Sequence, residues 1–86
     1  MNAKYSNWVE ADGDRGQVIG LSEFHDGVDV YDGKEGWTVP IFDGDLVTIN
    51  DKSGTVVSID EECVVLSDSQ GEWTVKFEDL ETILTE

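Results

Sequence analysis

The sequence predicts an all-β protein, and three observations support this prediction. Short segments rich in β-branched and aromatic residues recur along the whole chain. Dipeptides such as Asp-Gly, which favour tight turns, separate these segments. No long window keeps apolar residues at the i, i+3, i+4 and i+7 positions of an amphipathic helix. We therefore expect any helix to be limited to one turn, near residues 78–80.

Five strands are expected in the first half of the chain. Trp37, Val39 and Ile41 show the clearest alternation, which places these three side chains on one face of a strand. Short runs with valine, isoleucine or tyrosine form the other four strands, and Asp-Gly turns follow or separate them. The expected strands are residues 8–10, 16–21, 28–31, 37–42 and 46–49.

Three more strands are expected in the second half. Trp73, Val75 and Phe77 alternate as their counterparts do in the first half. The polar segments 60–62 and 67–71 are typical of turns. The expected strands are residues 55–59, 63–66 and 73–77.

The two halves show signs of an internal repeat. Residues 37–39 and 73–75 share the sequence Trp-Thr-Val at an offset of 36, which also relates Val28 to Val64 and Asp32 to Asp68. Residues 45–49 match 79–83 at an offset of 34, and Gly-x-Val at residue 16 matches Gly-x-Val at residue 54 at an offset of 38. We interpret the matches as a duplication; the alternative is that both halves follow the same general rules of strand sequence.

The chain length limits the number of domains. A chain of 86 residues forms one small domain or two very small ones. If the repeat is a duplication, the seam lies near residues 49–51. The first β unit then spans residues 1–49 and the second spans residues 50–86.

Residues 44–83 resemble SH3-like small β-barrels of the KOW type. The resemblance rests on Gly-Asp-x-Val-x-Ile at 44–49 and Gly-x-Val-x-x-Ile at 54–59, followed by segments 63–66, 73–77 and 79–83. It covers about half of the chain directly and the other half through the repeat. The resemblance implies two tandem SH3-like small barrels, or one fused barrel from the duplicated unit, with a binding role and no enzymatic activity.

Net charge separates this chain from the RNA- and ribosome-binding barrels that it resembles. Twenty Asp and Glu against five Lys and Arg give a formal charge of −15 at pH 7. KOW-type barrels that bind RNA carry basic loops, whereas the loops here are acidic. Such a field repels nucleic acid and anionic membranes and attracts basic surfaces. We expect a basic protein as the partner, and no direct contact with nucleic acid or membrane.

A chain with so many carboxylates is expected to bind a large basic protein surface. The most common surfaces of this kind are nucleic-acid-binding sites. Same-face side chains along a strand repeat about every 6.6–6.8 Å, which is comparable with the spacing of successive phosphates. Asp43 and Asp45 have this separation if the chain is extended there. The expected binding surface comprises Asp26, Asp29, Asp32, Asp43, Asp45, Asp60, Glu61 and Glu62.

These expectations together indicate a DNA mimic, similar in strategy to the acidic inhibitors that bacteriophages make. A phage-encoded protein of this kind would act in the host cytoplasm. It would block the nucleic-acid-binding surface of a basic host protein such as the histone-like protein HU, RNA polymerase or a defence nuclease. The oligomeric state is left open, with a homodimer among the options.

Two alternatives stay open. The chain could be a structural or adaptor barrel in a phage particle or multiprotein complex, using Trp8 and the sheet edges for contacts. Its acidity could also be halophilic hydration, although four Lys against one Arg is not the preference expected of halophilic chains.

Residues able to carry chemistry are few. His25 and Cys63 are the only histidine and cysteine, so no disulfide forms within the chain, and a catalytic pair would require them to meet in space. We expect a surface histidine and a buried cysteine, and hence no enzyme. Residues 10–14 space their acids as a calcium loop does, but Arg15 and Leu21 stand where that loop needs Gly and Glu. No metal or cofactor is expected.

The remaining expectations concern the tryptophans and the location. Trp37 and Trp73 occupy equivalent repeat positions, which favours a role in the core or between barrels. Trp8 stands outside this pattern and either packs across the first strand or anchors an interface. The sequence opens without a signal-peptide pattern and has no apolar run approaching the roughly 20 residues of a membrane helix. We expect a cytoplasmic protein.

Overall fold

The computed structural model describes Tyr5 and residues 7–85. Within them the chain forms nine strands and one 3-10 turn, which confirms the all-β prediction. The strands are β1 (Trp8–Ala11), β2 (Asp14–Leu21), β3 (Gly27–Tyr31), β4 (Gly36–Pro40), β5 (Leu46–Ile49), β6 (Lys52–Ile59), β7 (Cys63–Asp68), β8 (Gly71–Lys76) and β9 (Thr82–Thr85). The 3-10 turn spans Phe77–Asp79, where a single helical turn was expected.

The strands form one continuous sheet. Its order is β4-β3-β2-β1-β9-β5-β6-β7-β8, so the last strand lies between the two halves of the chain. Strand β9 runs parallel to β1 and antiparallel to β5. The hairpin β5–β6 crosses the expected seam at residues 49–51, and the division into units 1–49 and 50–86 stays a prediction. None of the described residues belongs to a helix able to span a bilayer.

The strands on either side of β9 pair in the same register. Val9 of β1 lies opposite Gly16 of β2, as Val47 of β5 lies opposite Gly54 of β6, with an offset of 38 residues. The pairing of β3 with β4 matches that of β7 with β8 at an offset of 36. Both halves are therefore four-stranded antiparallel meanders of the same design, as a duplication would produce; the duplication itself stays a prediction.

A bulge occurs at the same place in each half. The register between β2 and β3 shifts around Ile19, and the register between β6 and β7 shifts around Val57. Because β1 and β5 run in opposite directions on either side of β9, a half-turn about an axis through β9 and normal to the sheet exchanges the two halves. We call this the pseudo-two-fold axis.

Alternating side chains of the strands build the core, as expected for a sheet with one buried face. Trp37 and Trp73 are half-buried and pack against this core, in agreement with the sequence prediction. In each half a glycine of the second strand lies beneath the tryptophan of the fourth. The fully buried apolar residues are Val9, Ala11, Val18, Val28, Val30, Val39, Ile41, Val47, Ile49, Val56, Val64, Leu66, Phe77, Leu80 and Ile83.

Candidate acidic binding surface

The eight acids predicted from sequence lie in the connections between strands, with one exception. Asp29 lies within β3, and it is half-buried, as is Asp26 in the β2–β3 connection. The other six are exposed in the connections β3–β4, β4–β5 and β6–β7: Asp32, Asp43, Asp45, Asp60, Glu61 and Glu62.

The backbone holds two of the exposed carboxylates in fixed positions. Asp32 Oδ1 accepts hydrogen bonds from the backbone amides of Lys34 and Glu35, at 2.8 and 2.9 Å. Asp60 Oδ1 accepts in the same way from the amides of the residues two and three positions later, at 2.8 and 2.9 Å. Hydrogen bonds from Glu35 and then Lys34 hold the pKa of Asp32 below its ordinary value. Both carboxylates are therefore presented to solvent ionised and oriented.

The two half-buried carboxylates bind hydroxyl groups. Ser22 Oγ donates to Asp26 Oδ1 at 2.5 Å, and the amide of Asp26 donates back to Ser22 Oγ at 3.0 Å. Thr38 Oγ1 donates to Asp29 Oδ1 at 2.5 Å across the β3–β4 pair. These acids stabilise their own turn and strand pair, and they are less available to a partner than the exposed ones.

The spacing expected for Asp43 and Asp45 does not apply. The chain turns at this point: the amide of Asp45 donates to the carbonyl of Phe42 at 3.1 Å, and Gly44 has a φ of 89°. An extended strand would place the two carboxylates one side-chain repeat apart on one face. Because the backbone bends between them, the strand-repeat argument fails for this pair, although both side chains are exposed.

Some of the predicted acids come together in space. Asp60, Glu61 and Glu62 share a surface depression of about 300 Å³. Glu61 also lines a second depression of about 320 Å³, together with Glu23 and His25 of the β2–β3 connection. The fold thus joins acids from the two halves at one place, which we call the Glu61 patch: Glu23, Asp60, Glu61 and Glu62.

The four lysine and arginine residues in the described chain are too few to neutralise these acids, although Lys34 lies near enough to Asp32 for its charge to act on that carboxylate. Within the described part of the chain, no carboxylate is ion-paired with a lysine or arginine. Two of the four described cations lie over aromatic rings instead. Arg15 Cζ is 5.6 Å from the centre of the Trp8 ring, and Lys52 Nζ is 4.0 Å from the centre of the Trp73 ring.

One cluster was missed by the sequence predictions. A cleft of about 440 Å³ lies between the β1–β2 and β3–β4 hairpins. We call it the Trp37 cleft. Its lining residues are Asp14, Arg15, Asp32, Glu35 and Trp37. One feature of the sequence points to this cleft. At the repeat offset of 38, the first half has an acid, Asp14, at the position where the second half has a lysine, Lys52.

Among the described residues, no hydrogen bond joins His25 to Cys63. His25 is exposed, whereas Cys63 is half-buried, not fully buried as expected, since it stands at the start of β7 beside the acidic turn. Burial and a hydrogen bond to Asp60 raise the pKa of the Cys63 thiol, so at neutral pH it is the weakly nucleophilic protonated form. Sγ lies 3.6 Å from Asp60 Oδ2.

The residues considered for calcium form a hairpin turn. Asp12 and Gly13 connect β1 to β2, and the Asp12 carboxylate is bonded to Thr85. Across Tyr5 and residues 7–85, no three His, Cys, Asp or Glu side chains are grouped so that they could hold a metal ion.

Comparisons with known proteins do not indicate a function for this chain. No protein-family profile, no curated protein sequence and no solved structure matches this chain. The chemistry of the surface is therefore the basis for assigning a function.

Proposed function

We propose that this protein is a non-enzymatic DNA mimic that blocks the nucleic-acid-binding surface of a basic host protein. The observation that carries the proposal is the absence of ion pairs between carboxylates and Lys or Arg among the described residues. Surfaces on which charges of both signs alternate cancel much of their own field. Here no lysine or arginine pairs directly with a described carboxylate, so the net charge of −15 is presented to a partner much as the phosphates of a duplex are.

The size of the charge supports the same proposal. A small domain needs a net charge of only about 2–8 for solubility, and this chain carries −15. Repulsion at such a density destabilises the compact state. A partner with a large basic surface accounts for charge that the fold itself does not need. The candidate partners are HU, RNA polymerase and a defence nuclease, met in the host cytoplasm by a phage-encoded protein.

Rigid presentation of the acids favours binding further. The Asp60 carboxylate is held by two backbone amides, so little side-chain freedom is lost when a basic partner docks. Its neighbours Glu61 and Glu62 extend the charge across the Glu61 patch. We infer that this patch is the centre of the interface.

Displacement of DNA tests the proposal. Labelled duplex DNA bound to HU has a high fluorescence anisotropy, which should fall when the protein is added, and the effect should weaken as salt rises. The triple variant Asp60→Asn, Glu61→Gln, Glu62→Gln should weaken the displacement while remaining folded, which its circular dichroism spectrum and melting curve check. Asn at position 60 keeps an oxygen acceptor for the amides of the turn.

Controls in this assay separate position from total charge. The variant Glu10→Gln, Asp51→Asn, Glu72→Gln removes the same number of charges at exposed positions outside the depressions that Glu61 and Glu62 line, and it should displace DNA more strongly than the patch variant. The pair Asp43→Asn, Asp45→Asn tests the β4–β5 connection. If the protein fails to displace DNA from HU, RNA polymerase and a panel of basic DNA-binding proteins of the native host, it is not a DNA mimic.

Exposed apolar side chains favour a second function, that of an adaptor in a phage particle or multiprotein complex. Trp8, Leu46 and Leu84 are 45%, 47% and 54% exposed. Leu84 lies opposite Thr48 of β5, and Leu46 is two residues before Thr48, so both leucines share the outer face of the sheet. Capture of one acidic or neutral partner at high salt would favour the adaptor, whereas capture of DNA-binding proteins at low salt only would favour the mimic.

A further inference from the structure

The two equivalent tryptophans differ in what covers their rings. Trp73 lies over Gly54, and Lys52 Nζ stands 4.0 Å from the ring centre. This distance is well within the range of a cation–π interaction, in which an ammonium is attracted to the face of an indole. In the second half of the chain, the protein thus supplies its own cation to its tryptophan.

The same framework in the first half lacks this cation. Trp37 lies over Gly16 as Trp73 lies over Gly54. The position equivalent to Lys52 is Asp14: Asp14 pairs with Ala11 as Lys52 pairs with Ile49. A carboxylate therefore stands beside Trp37 where an ammonium stands beside Trp73.

Further carboxylates surround Trp37. Asp32 and Glu35 line the Trp37 cleft together with Asp14. Within the described residues, the Asp14 and Glu35 carboxylates form no hydrogen bond or ion pair. The cleft therefore combines an indole with the carboxylates of Asp14 and Glu35, which no described side chain pairs, and with that of Asp32, which the amides of its own turn hold.

Arg15 is the one cation in the lining of this cleft. Its guanidinium carbon lies 5.6 Å from the centre of the Trp8 ring, so it is committed to another indole. In β1, Trp8 and Glu10 alternate with the buried Val9 and Ala11, so both lie on the outer face of the sheet, and Arg15 lies on that face too because it pairs with Glu10. Trp37 pairs with the buried Val30 on the opposite face.

We propose that the Trp37 cleft binds a cationic side chain, the ammonium of a lysine or the guanidinium of an arginine from a basic partner, against the indole of Trp37. Carboxylates of Asp14, Asp32 and Glu35 neutralise the bound cation. Lys52 over Trp73 is the internal counterpart of this bound state. The identity of the partner rests on the proposed function, but the cleft and its ligand chemistry do not.

Single amino acid derivatives test the cleft without any partner protein. The probes are Nα-acetyl-lysine methylamide and Nα-acetyl-arginine methylamide, with Nα-acetyl-norleucine methylamide as the uncharged control. Nitrogen–proton NMR spectra resolve the indole N–H signals of Trp8, Trp37 and Trp73, and Trp→Phe variants assign them. Both cationic probes should shift the Trp37 signal in a saturable way, leave the other two signals in place, and show which cation binds more tightly.

Exchanging the residues at the equivalent positions should exchange the behaviour of the two sites. Asp14→Lys places an internal ammonium beside Trp37 and should abolish its response, and Asp14→Asn should weaken the response. Lys52→Asp should open the second site, so that the Trp73 signal now shifts with the cationic probes. Asp79→Lys and Lys76→Asp make the same changes of charge elsewhere and should leave the wild-type pattern.

The results separate this inference from the proposed function. The cleft assignment is wrong if the folded wild type shows no Trp37 shift, if norleucine amide gives the same shift, or if the shift survives in Asp14→Lys. The dispersion of the same spectra reports whether each variant is folded, and Lys52→Asp provides an independent test if Asp14→Lys is not. If the Trp37 signal shifts in a saturable way but the protein does not displace DNA, the cation-binding cleft is supported and the DNA-mimic proposal is wrong. If the protein displaces DNA but the Trp37 signal does not shift, only the cleft assignment is wrong.

Discussion

Asp12 and Asn50 hold opposite ends of the same strand. Asp12 Oδ1 and Oδ2 accept hydrogen bonds from the amide and the hydroxyl of Thr85 at 2.7 and 2.6 Å. Asn50 Oδ1 accepts from the amides of Glu81 and Thr82 at 2.8 and 3.1 Å. The two residues are equivalent positions of the β1–β2 and β5–β6 turns, and both have a φ of 52°. Strand β9 is therefore fastened at each end by a different half of the sheet.

Replacing Asn50 should loosen the start of β9. Asn50→Ala removes two accepted hydrogen bonds and the one that Nδ2 donates to the carbonyl of Asp79, and it places alanine at a positive φ. We expect a loss of about 2–4 kcal/mol in the free energy of unfolding, measured by urea denaturation. Asn50→Gly tolerates the backbone angle and should lose less. Wild-type stability of both variants would contradict this role.

A methyl group at Gly54 should disturb the packing of Trp73. A Cβ there would stand 2.5 Å from the ring atom Cη2 and 3.0 Å from the carbonyl oxygen of Ser67. Overpacking of this kind destabilises a core by about 1–3 kcal/mol. Gly16→Ala should be milder, because its Cβ would meet only side-chain atoms, the nearest at 2.9 Å from Trp37 Cη2. Urea denaturation of both variants measures the difference, and a Gly54→Ala variant no less stable than Gly16→Ala would contradict the reasoning.

The contribution of Asp60 to stability should be larger while its carboxylate is ionised. Hydrogen bonds from the amides of Glu62 and then Cys63 lower the pKa of Asp60 from its ordinary value of 3.8. A lowered folded-state pKa stabilises the fold above the unfolded value, and this contribution is lost as pH falls through the folded value. Asp60→Ala should melt below the wild type at neutral pH, and the gap should narrow as pH falls below 3.8, because the protonated carboxyl keeps only its neutral oxygen acceptor.

Asp60→Asn serves as the matched variant for this titration. The amide keeps an oxygen acceptor for the turn and takes up no proton in this range. Its melting temperature should therefore exceed that of Asp60→Ala at every pH, including the acid range. If the gap between the wild type and Asp60→Ala is the same at all pH values, the carboxylate charge plays no part in the turn.

Salt should stabilise the fold at neutral pH. Carboxylates without ion pairs in the described chain repel each other, and the screening length falls from about 10 Å at 0.1 M salt to about 3 Å at 1 M. The melting temperature should rise between these concentrations, and the variant Glu78→Gln, Asp79→Asn, Glu81→Gln should show a smaller rise. A flat profile would mean that the acids are too dispersed to strain the fold. A chain that is unfolded below molar salt would support the halophilic alternative.

Local patterns in the sequence predicted most of the strands. The alternation of Trp37, Val39 and Ile41, and of Trp73, Val75 and Phe77, marks inward-facing positions that are buried or half-buried in the structure. The place of β9 between β1 and β5 could not be predicted in this way. Several strands have similar valine-rich sequences, and which of them pair across long separations depends on the packing of the whole sheet. The SH3-like resemblance stays a prediction.

The candidate site was predictable only in part. Turn composition correctly places acids such as Asp32 and Asp60 in connections, because short polar side chains bond to nearby amides there. The bend between Asp43 and Asp45 agrees with the turn preference of Asp-Gly, and it removes the strand spacing that these two carboxylates would have in an extended chain. The Trp37 cleft was missed because it forms between two hairpins that only the tertiary structure brings together.

The location of β9 has a consequence for how the chain reaches its folded state. Each meander can form from contacts local in sequence, whereas the pairing of Glu10 in β1 with Thr82 in β9 joins residues from opposite ends of the sheet-forming chain. Contacts so distant in sequence close large loops and slow folding. In the interval, β1 and β5 each have one edge without its final neighbour, and such open edges pair readily with other chains. Mutual repulsion between copies that each carry a charge of −15 opposes such pairing until β9 docks between the two halves.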